Sequence, residues 1–138
     1  LFEGIVRRGL ERLIRQAELE LEVGRSQVGV GDETYDVQVA GSAGTLLIPV
    51  KTRETMGGGH AMLFTRDIFK SILVATEQGF RCIPVVIAES WSGDLEALES
   101  ERYIYIQANP NQIAAVEPIL NRELQRLLPV LRSLTESA

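Results

Sequence analysis

The sequence predicts a mixed α/β domain, a central sheet of parallel and antiparallel strands with helices on both faces. Three observations carry this expectation. The opening segment repeats apolar residues at helical spacing, with Val6, Leu10, Leu13, Ile14, Ala17 and Leu21 on one face. Residues 34–40 and 45–52 alternate with the period of two that paired strands require, around a turn framed by Gly41 and Gly44. The segment RCIPVVIAESW reads as a continuous apolar strand, covered on both faces.

Taken in order, the elements begin with a helix over residues 2–22 and a short strand over 25–30, ended by GVGD. The hairpin follows. Tyr35, Val37 and Val39 fall on one face of its first strand, with Asp36, Gln38 and Ala40 on the other. On its second strand Leu46, Ile48 and Val50 share a face, opposite Leu47, Pro49 and Lys51. With the turn at Gly41 and Gly44, cross-strand partners sum to 85, so Asp36 lies across from Pro49 and Lys51 is its diagonal neighbour. RETMGGGHAM is a glycine-rich loop. Thr65 caps a helix from Arg66 to Gln78, closed by Gly79. After the apolar strand, SGDLEALESE is a polar connection and RYIYIQA a further strand. Asn109 caps and Pro110 opens a C-terminal helical region, interrupted at Pro118 and Pro129 into two or three segments. The order is α-β-β-β-α-β-β-α.

Composition sets the bounds. A chain of 138 residues, 45% hydrophobic and 24% charged, has the balance of one globular domain. It opens on Leu rather than Met, so it reads as a single domain with room for excerption from a longer chain. No apolar run approaches the roughly 20 residues of a membrane span, and a cytoplasmic location is expected. The single cysteine, Cys82, has no internal disulfide partner and is expected to be buried as a small hydrophobe. The net charge of −5 argues against a nucleic-acid partner only mildly. Charge is segregated, with Arg7, Arg8, Arg12 and Arg15 clustered on the first helix and acids crowded between Glu89 and Glu101. Of the 14 basic residues, only Lys51 and Lys70 are lysine. A chain that otherwise uses arginine places a compact, tunable point charge at the end of LLIPVK.

Asp36 and Lys51 thus bring a carboxylate and an ammonium to one spot of a sheet. Hydrolysing a phosphodiester needs a nucleophilic water, stabilisation of growing negative charge and help for the leaving oxygen. A hard divalent cation held by one or two carboxylates supplies all three, and a nearby lysine adds a positive charge and a proton relay. The competing reading is an exposed cross-strand ion pair, worth about 0–1 kcal/mol.

The αβββαβ order, with Asp on the second strand and x-V-K at the end of the third, resembles the PD-(D/E)XK nuclease superfamily. The resemblance runs from the first helix to about residue 89. It implies a restriction-endonuclease-like core carrying an extra strand and C-terminal helices. It further implies a Mg²⁺- or Mn²⁺-dependent endonuclease cutting double-stranded DNA as a homodimer, most like a type II restriction enzyme. Asp36 would hold the metal and Lys51 would orient the attacking water.

This chain departs from the family pattern at one position. The second acid is expected two residues before the lysine, where Pro49 stands. Some enzymes resembling this pattern carry the missing acid on the following helix, which points to Asp67; the alternative for Asp67 is an ordinary helix-dipole partner. Glu54 is a looser candidate. Glu20, at the edge of the first helix's apolar face, matches the glutamate that such nucleases bring to the metal from their first helix. Gln38 shares the Asp36 face and suits a phosphate or a metal-bound water. In MGGGHAM, Gly58 and Gly59 would let main-chain N–H groups approach phosphate, with His60 as a DNA contact or general base. Arg53 and Arg66 flank this loop and suit phosphate or base edges.

Other chemistries are excluded. No Walker lysine follows the glycines, no G-x-S-x-G is present, and one Cys with one His cannot form a structural zinc site. The rival reading is a non-catalytic nuclease-like module that binds nucleic acid or a protein; a repair, homing or transposition nuclease is a third. Ile119, Leu120, Leu124, Leu127, Leu128, Val130 and Leu131 exceed the needs of an edge helix and suggest packing against an interface or an absent domain.

Overall fold

A computed structural model describes residues 1–54, 59–89 and 103–136. Helix α1 (Phe2–Gln16) buries Phe2, Ile5, Val6, Leu10 and Ile14 along one stripe. It stops short of the expected residue 22. Glu18 adopts φ +55, its N–H bonds to the Arg15 carbonyl, and the Leu19 N–H reaches back to Ile14. This pair of contacts is a Schellman end with glutamate where glycine is usual. Leu19 and Leu21 still pack on the core from outside the helix.

Strand β1 (Glu22–Val23) pairs antiparallel with β4 (Val37–Gly41), matching Glu22 to Ala40. Between them β2 (Val28–Val30) and β3 (Glu33–Tyr35) form a small separate hairpin. Gly31 takes φ +58 in its two-residue turn, a conformation that favours glycine. The β4–β5 hairpin has the expected register: β5 (Gly44–Ile48) runs from Gly41↔Gly44 to Val37↔Ile48.

The expected second strand of that hairpin is split. Pro49 has no N–H to donate, so the ladder stops at Ile48 and restarts as β6 (Val50–Arg53). The apolar strand is split likewise, into β7 (Arg81–Cys82) parallel to β5 and β8 (Val85–Ala88) parallel to β6. Hydrogen bonds from Ile83 N–H to Leu47 (3.1 Å) and from Val85 N–H to Pro49 (2.9 Å) carry the pairing through both breaks. Strand β9 (Ile104–Gln107) adds parallel to β8. The result is a mixed sheet in the order β1, β4, β5/β6, β7/β8, β9, with β1 and β9 at its edges.

Helix α2 (Gly59–Glu77) connects β6 to β7 and covers one face. Phe64 and Ile68 pack on Val86 and Ala88 there, and Ala75 packs on Tyr35, Leu47 and Cys82. The other face carries the main core. Helix α1 lies there beside α3 (Ile113–Leu124), a 3₁₀ turn (Gln125–Leu127) and α4 (Leu128–Ser133). Helices therefore flank the sheet on both faces, as the sequence predicts.

Several local expectations are corrected. Tyr35 does not share the face of Val37: it lies in the α2-side cluster while Val37 and Val39 lie in the main core. The bend at Asp36 between β3 and β4 shifts the alternation by one residue. Thr65 is not a cap, since α2 begins at Gly59 and buries Thr65 inside it. Asn109 closes a local turn, its side chain accepting the Asn111 N–H at 2.8 Å, and α3 starts only at Ile113. Pro118 sits inside α3 without breaking it. A proline there costs about 3 kcal/mol, and burial of Val116, Leu120 and Leu124 on the inward face offsets it. The C-terminal leucines are not an uncovered interface either. Leu120, Leu124, Leu127, Leu131 and Leu134 are buried in the chain's own core. Among the described residues no helix is long and apolar enough to cross a membrane.

Candidate active site at the Pro49 break

The break in the ladder creates the site. Beyond Val37↔Ile48, β4 offers β6 no main-chain acceptor, and the Val50 N–H is left open. The Asp36 carboxylate takes it, with Oδ2 2.6 Å from the Val50 nitrogen. The side chain stands in for a strand carbonyl, so Asp36 meets β6 at Val50 rather than across from Pro49. The main-chain carbonyl of Asp36 is held from the other side by the guanidinium of Arg7 on α1.

Lys51 follows immediately. Its side chain is 18% exposed and turns toward α2, where Nζ lies 2.9 Å from Asp67 Oδ2. Asp67 is half-exposed, in the third turn of α2 rather than the first. The helix-dipole alternative depends on a place in the first turn and does not apply. Asp36, Lys51 and Asp67 thus come from three different elements and flank the Val50–Lys51 segment. Beneath them lies the Tyr35, Leu47, Ala75 and Cys82 cluster. Burial pushes the Cys82 thiol up to about 12, so it is a core residue and not a nucleophile, as expected from sequence.

The remaining candidates divide. Glu20 is removed from the set. It is exposed beyond the end of α1, and Glu22 pairs with Ala40 at the far end of β4. Four strand residues, roughly 13 Å, separate Ala40 from Asp36. Gln38 is half-buried opposite Leu47, its main chain accepting the Gly24 N–H at 2.8 Å. Because of the bend, alternation no longer ties its face to that of Asp36. Arg53 points to the α2 side with its guanidinium 5.6 Å from the Phe64 ring centre, a cation–π contact. Arg66 is exposed on α2 beside Asp67. Gly59 opens α2 rather than a loop; Gly58 and the His60 side chain lie outside the described residues. Glu54 accepts a hydrogen bond from the Asn111 side chain. Both line a cleft of about 480 Å³ at the carboxyl end of β6, with Glu3, Thr52, Arg53 and Pro110.

The sequence reading assigned Arg7 no role of its own. A signal existed: its i+3 and i+7 spacing from Leu10 and Ile14 puts it on the apolar side of α1, unlike the exposed Arg8, Arg12 and Arg15. Asn111 carried no signal, because nothing in sequence brings it to Glu54.

Asp36 and Asp67 supply hard oxygen donors of the kind Mg²⁺ or Mn²⁺ takes. One oxygen of each is engaged, by Val50 and Lys51 respectively, and one remains. Among the described residues no group of three or more His, Cys, Asp or Glu converges. The donor chemistry suits a hard cation, and any cation there would take most of its ligands from water and phosphate oxygens rather than from a closed protein cage.

No family model and no curated protein matches the chain. Among solved structures, it is similar to Pyrococcus furiosus SfsA in complex with Ca²⁺, at 17% sequence identity and a TM-score of 0.36. The match covers 98% of this chain and 52% of that one, so the chain spans about half the length of its structural neighbour.

Proposed function

We propose that this chain is the core of a divalent-metal-dependent endonuclease of the PD-(D/E)XK kind, acting on double-stranded DNA as type II restriction enzymes do. One observation carries the reading: at the Pro49 break the Asp36 carboxylate bonds the Val50 N–H, and the next residue, Lys51, bonds Asp67 of α2. Asp67 takes the part of the acid that Pro49 displaces. Asp36 and Asp67 hold Mg²⁺ or Mn²⁺ through their free oxygens. A bound cation supplies electrostatic stabilisation of the charge that grows on the phosphate. Lys51, tethered to Asp67 and largely shielded, orients water and passes a proton. Arg53 and Arg66 contact phosphates. Cutting both strands at one place calls for two such cores, so the working form is a homodimer.

A second reading has its own support. The Asp36 carboxylate already serves the fold as the acceptor for Val50, and no third metal-ligating side chain joins it among the described residues. These favour a nuclease-like module that binds nucleic acid without cutting it. Plasmid cleavage with Mg²⁺ and with Mn²⁺ separates the two. The nuclease reading expects nicked or linear DNA from the wild type and none from Lys51→Ala or Asp67→Asn. Binding of duplex DNA without cleavage under either metal selects the module. Cleavage that survives both substitutions removes the site assignment.

A further inference from the structure

We propose that Arg7 is the positioning residue of this site: its guanidinium holds the Asp36 main chain in the bend that delivers the Asp36 carboxylate to Val50. The inference rests on the reading of Asp36, Lys51 and Asp67 as the active site and adds a fourth residue that touches neither substrate nor cation.

Four observations support it. Arg7 is the one arginine of the first-helix cluster that is only partly exposed; Arg8, Arg12 and Arg15 are exposed. Its Nη2 donates to the Asp36 carbonyl, at a bend where, among the described residues, no strand partner takes that carbonyl. Its Nε is buried without a hydrogen-bond partner among the described residues, and no carboxylate lies within ion-pair distance of it there. A guanidinium nitrogen buried without a partner is unfavourable for the fold. Departures of that kind concentrate where function fixes the residue.

The geometry gives the reason. Asp36 is held at two points, its carbonyl by α1 and its carboxylate by β6. A short side chain such as aspartate reaches Val50 only from one main-chain orientation. Release of the carbonyl lets the bend relax toward a regular strand, which turns the carboxylate out of the sheet plane. Arg7 therefore acts through Asp36, as outer-shell partners act through metal ligands.

The test compares Arg7→Met, Arg7→Lys and the exposed control Arg8→Ala in the full chain. Amide hydrogen exchange followed by NMR reads the Asp36–Val50 contact, and calorimetric titration with Mn²⁺ reads the site. In Arg7→Met the Val50 amide should exchange at least about tenfold faster while Val39 and Leu46 keep their protection, and Mn²⁺ affinity should fall about tenfold. Arg7→Lys, which still donates to a carbonyl, should restore most of both. Arg8→Ala should change neither. Unchanged Val50 exchange in Arg7→Met overturns the proposal, and so does a uniform rise across the sheet, which would mark Arg7 as mere glue between helix and sheet. Where Arg7→Met fails to fold, the Val50 exchange of Arg7→Lys decides, since wild-type rescue there is expected. Failure of the nuclease reading looks different: wild type then neither binds Mn²⁺ nor cuts DNA, and Val50 exchange alone still judges Arg7.

Discussion

Asp36 Oδ2 accepts the main-chain N–H of Val50 at 2.6 Å, so one carboxylate closes a gap in the sheet and stands in the candidate site. The two duties separate by substitution. Asp36→Asn keeps an oxygen that can accept the Val50 N–H, whereas Asp36→Ala leaves that partly buried donor unmet. We expect Asp36→Ala to lose about 1–3 kcal/mol of stability and Asp36→Asn clearly less, measured by urea denaturation. Under the nuclease reading both abolish Mn²⁺-dependent cleavage, because the amide cannot replace the charge. Equal stability for the two variants would show that the hydrogen bond carries little weight in the fold.

The Lys51–Asp67 pair invites the same separation. One partner is shielded and the other half-exposed, so the pair should couple by about 0.5–1 kcal/mol in a double-mutant cycle of Lys51→Met and Asp67→Asn. That coupling should shrink as salt rises. Under the nuclease reading either single change lowers cleavage by far more than so weak a coupling can explain. A loss of activity no larger than the loss of folded protein would return the pair to the status of an ordinary surface ion pair.

These residues also show how much the sequence made legible. The β4–β5 register, the crossover helix and the buried Cys82 follow from alternation, periodicity and residue type, which are local properties. Asp67 came into view only through the family resemblance, as an acid on the helix after the lysine, and the structure sets it 2.9 Å from Lys51 Nζ. What was missed depends on single residues taking unusual parts. Glu18 ends a helix in a conformation that glycine usually supplies, and this ended the case for Glu20 as a ligand. Asp36 replaces a main-chain acceptor, which throws the alternation out of phase at Tyr35. Pro118 lies in a helix that tertiary burial sustains. At Asp36 and Pro118 a long-range contact outweighs a local preference, at Pro118 one of about 3 kcal/mol.

Glycine at the hairpin turn is fixed by what lies beside it. A Cβ added at Gly41 would stand 2.4 Å from the main-chain oxygen of Leu134 and 2.5 Å from Leu21 Cδ2. The Ala43 N–H already bonds that same oxygen at 2.8 Å, so the C-terminal segment cannot retreat without losing it. At Gly9 the added carbon would meet Leu124 Cδ1 at 2.7 Å and Asn121 Oδ1 at 3.0 Å, both side-chain ends rather than main chain. Gly41→Ala should therefore destabilise by about 1–3 kcal/mol, and Gly9→Ala by less. Thermal melting of the two variants tests the ranking; Gly9→Ala as the more damaging change would contradict it.

Alkaline pH should weaken this fold through two groups beneath the site. Burial raises the Cys82 thiol from 9.0 to about 12. Burial also raises the Tyr35 hydroxyl from 10.0 to about 12; that hydroxyl donates to the Ser71 carbonyl at 2.6 Å. In the unfolded chain both groups ionise at their ordinary values, while the folded chain keeps them neutral. Between 9 and about 12 the unfolded state thus binds fewer protons, and stability falls as pH rises through that window. Below pH 9 neither group contributes to the slope. Urea denaturation at about pH 8 and about pH 10.5 should show the loss. Cys82→Ala and Tyr35→Phe should each flatten it, although each begins less stable at neutral pH from its cavity or lost hydrogen bond. Consistent with the buried thiol, Cys82 should resist alkylation at neutral pH until denaturant opens the sheet. A steep alkaline loss that persists in the double variant would assign the titration to other groups.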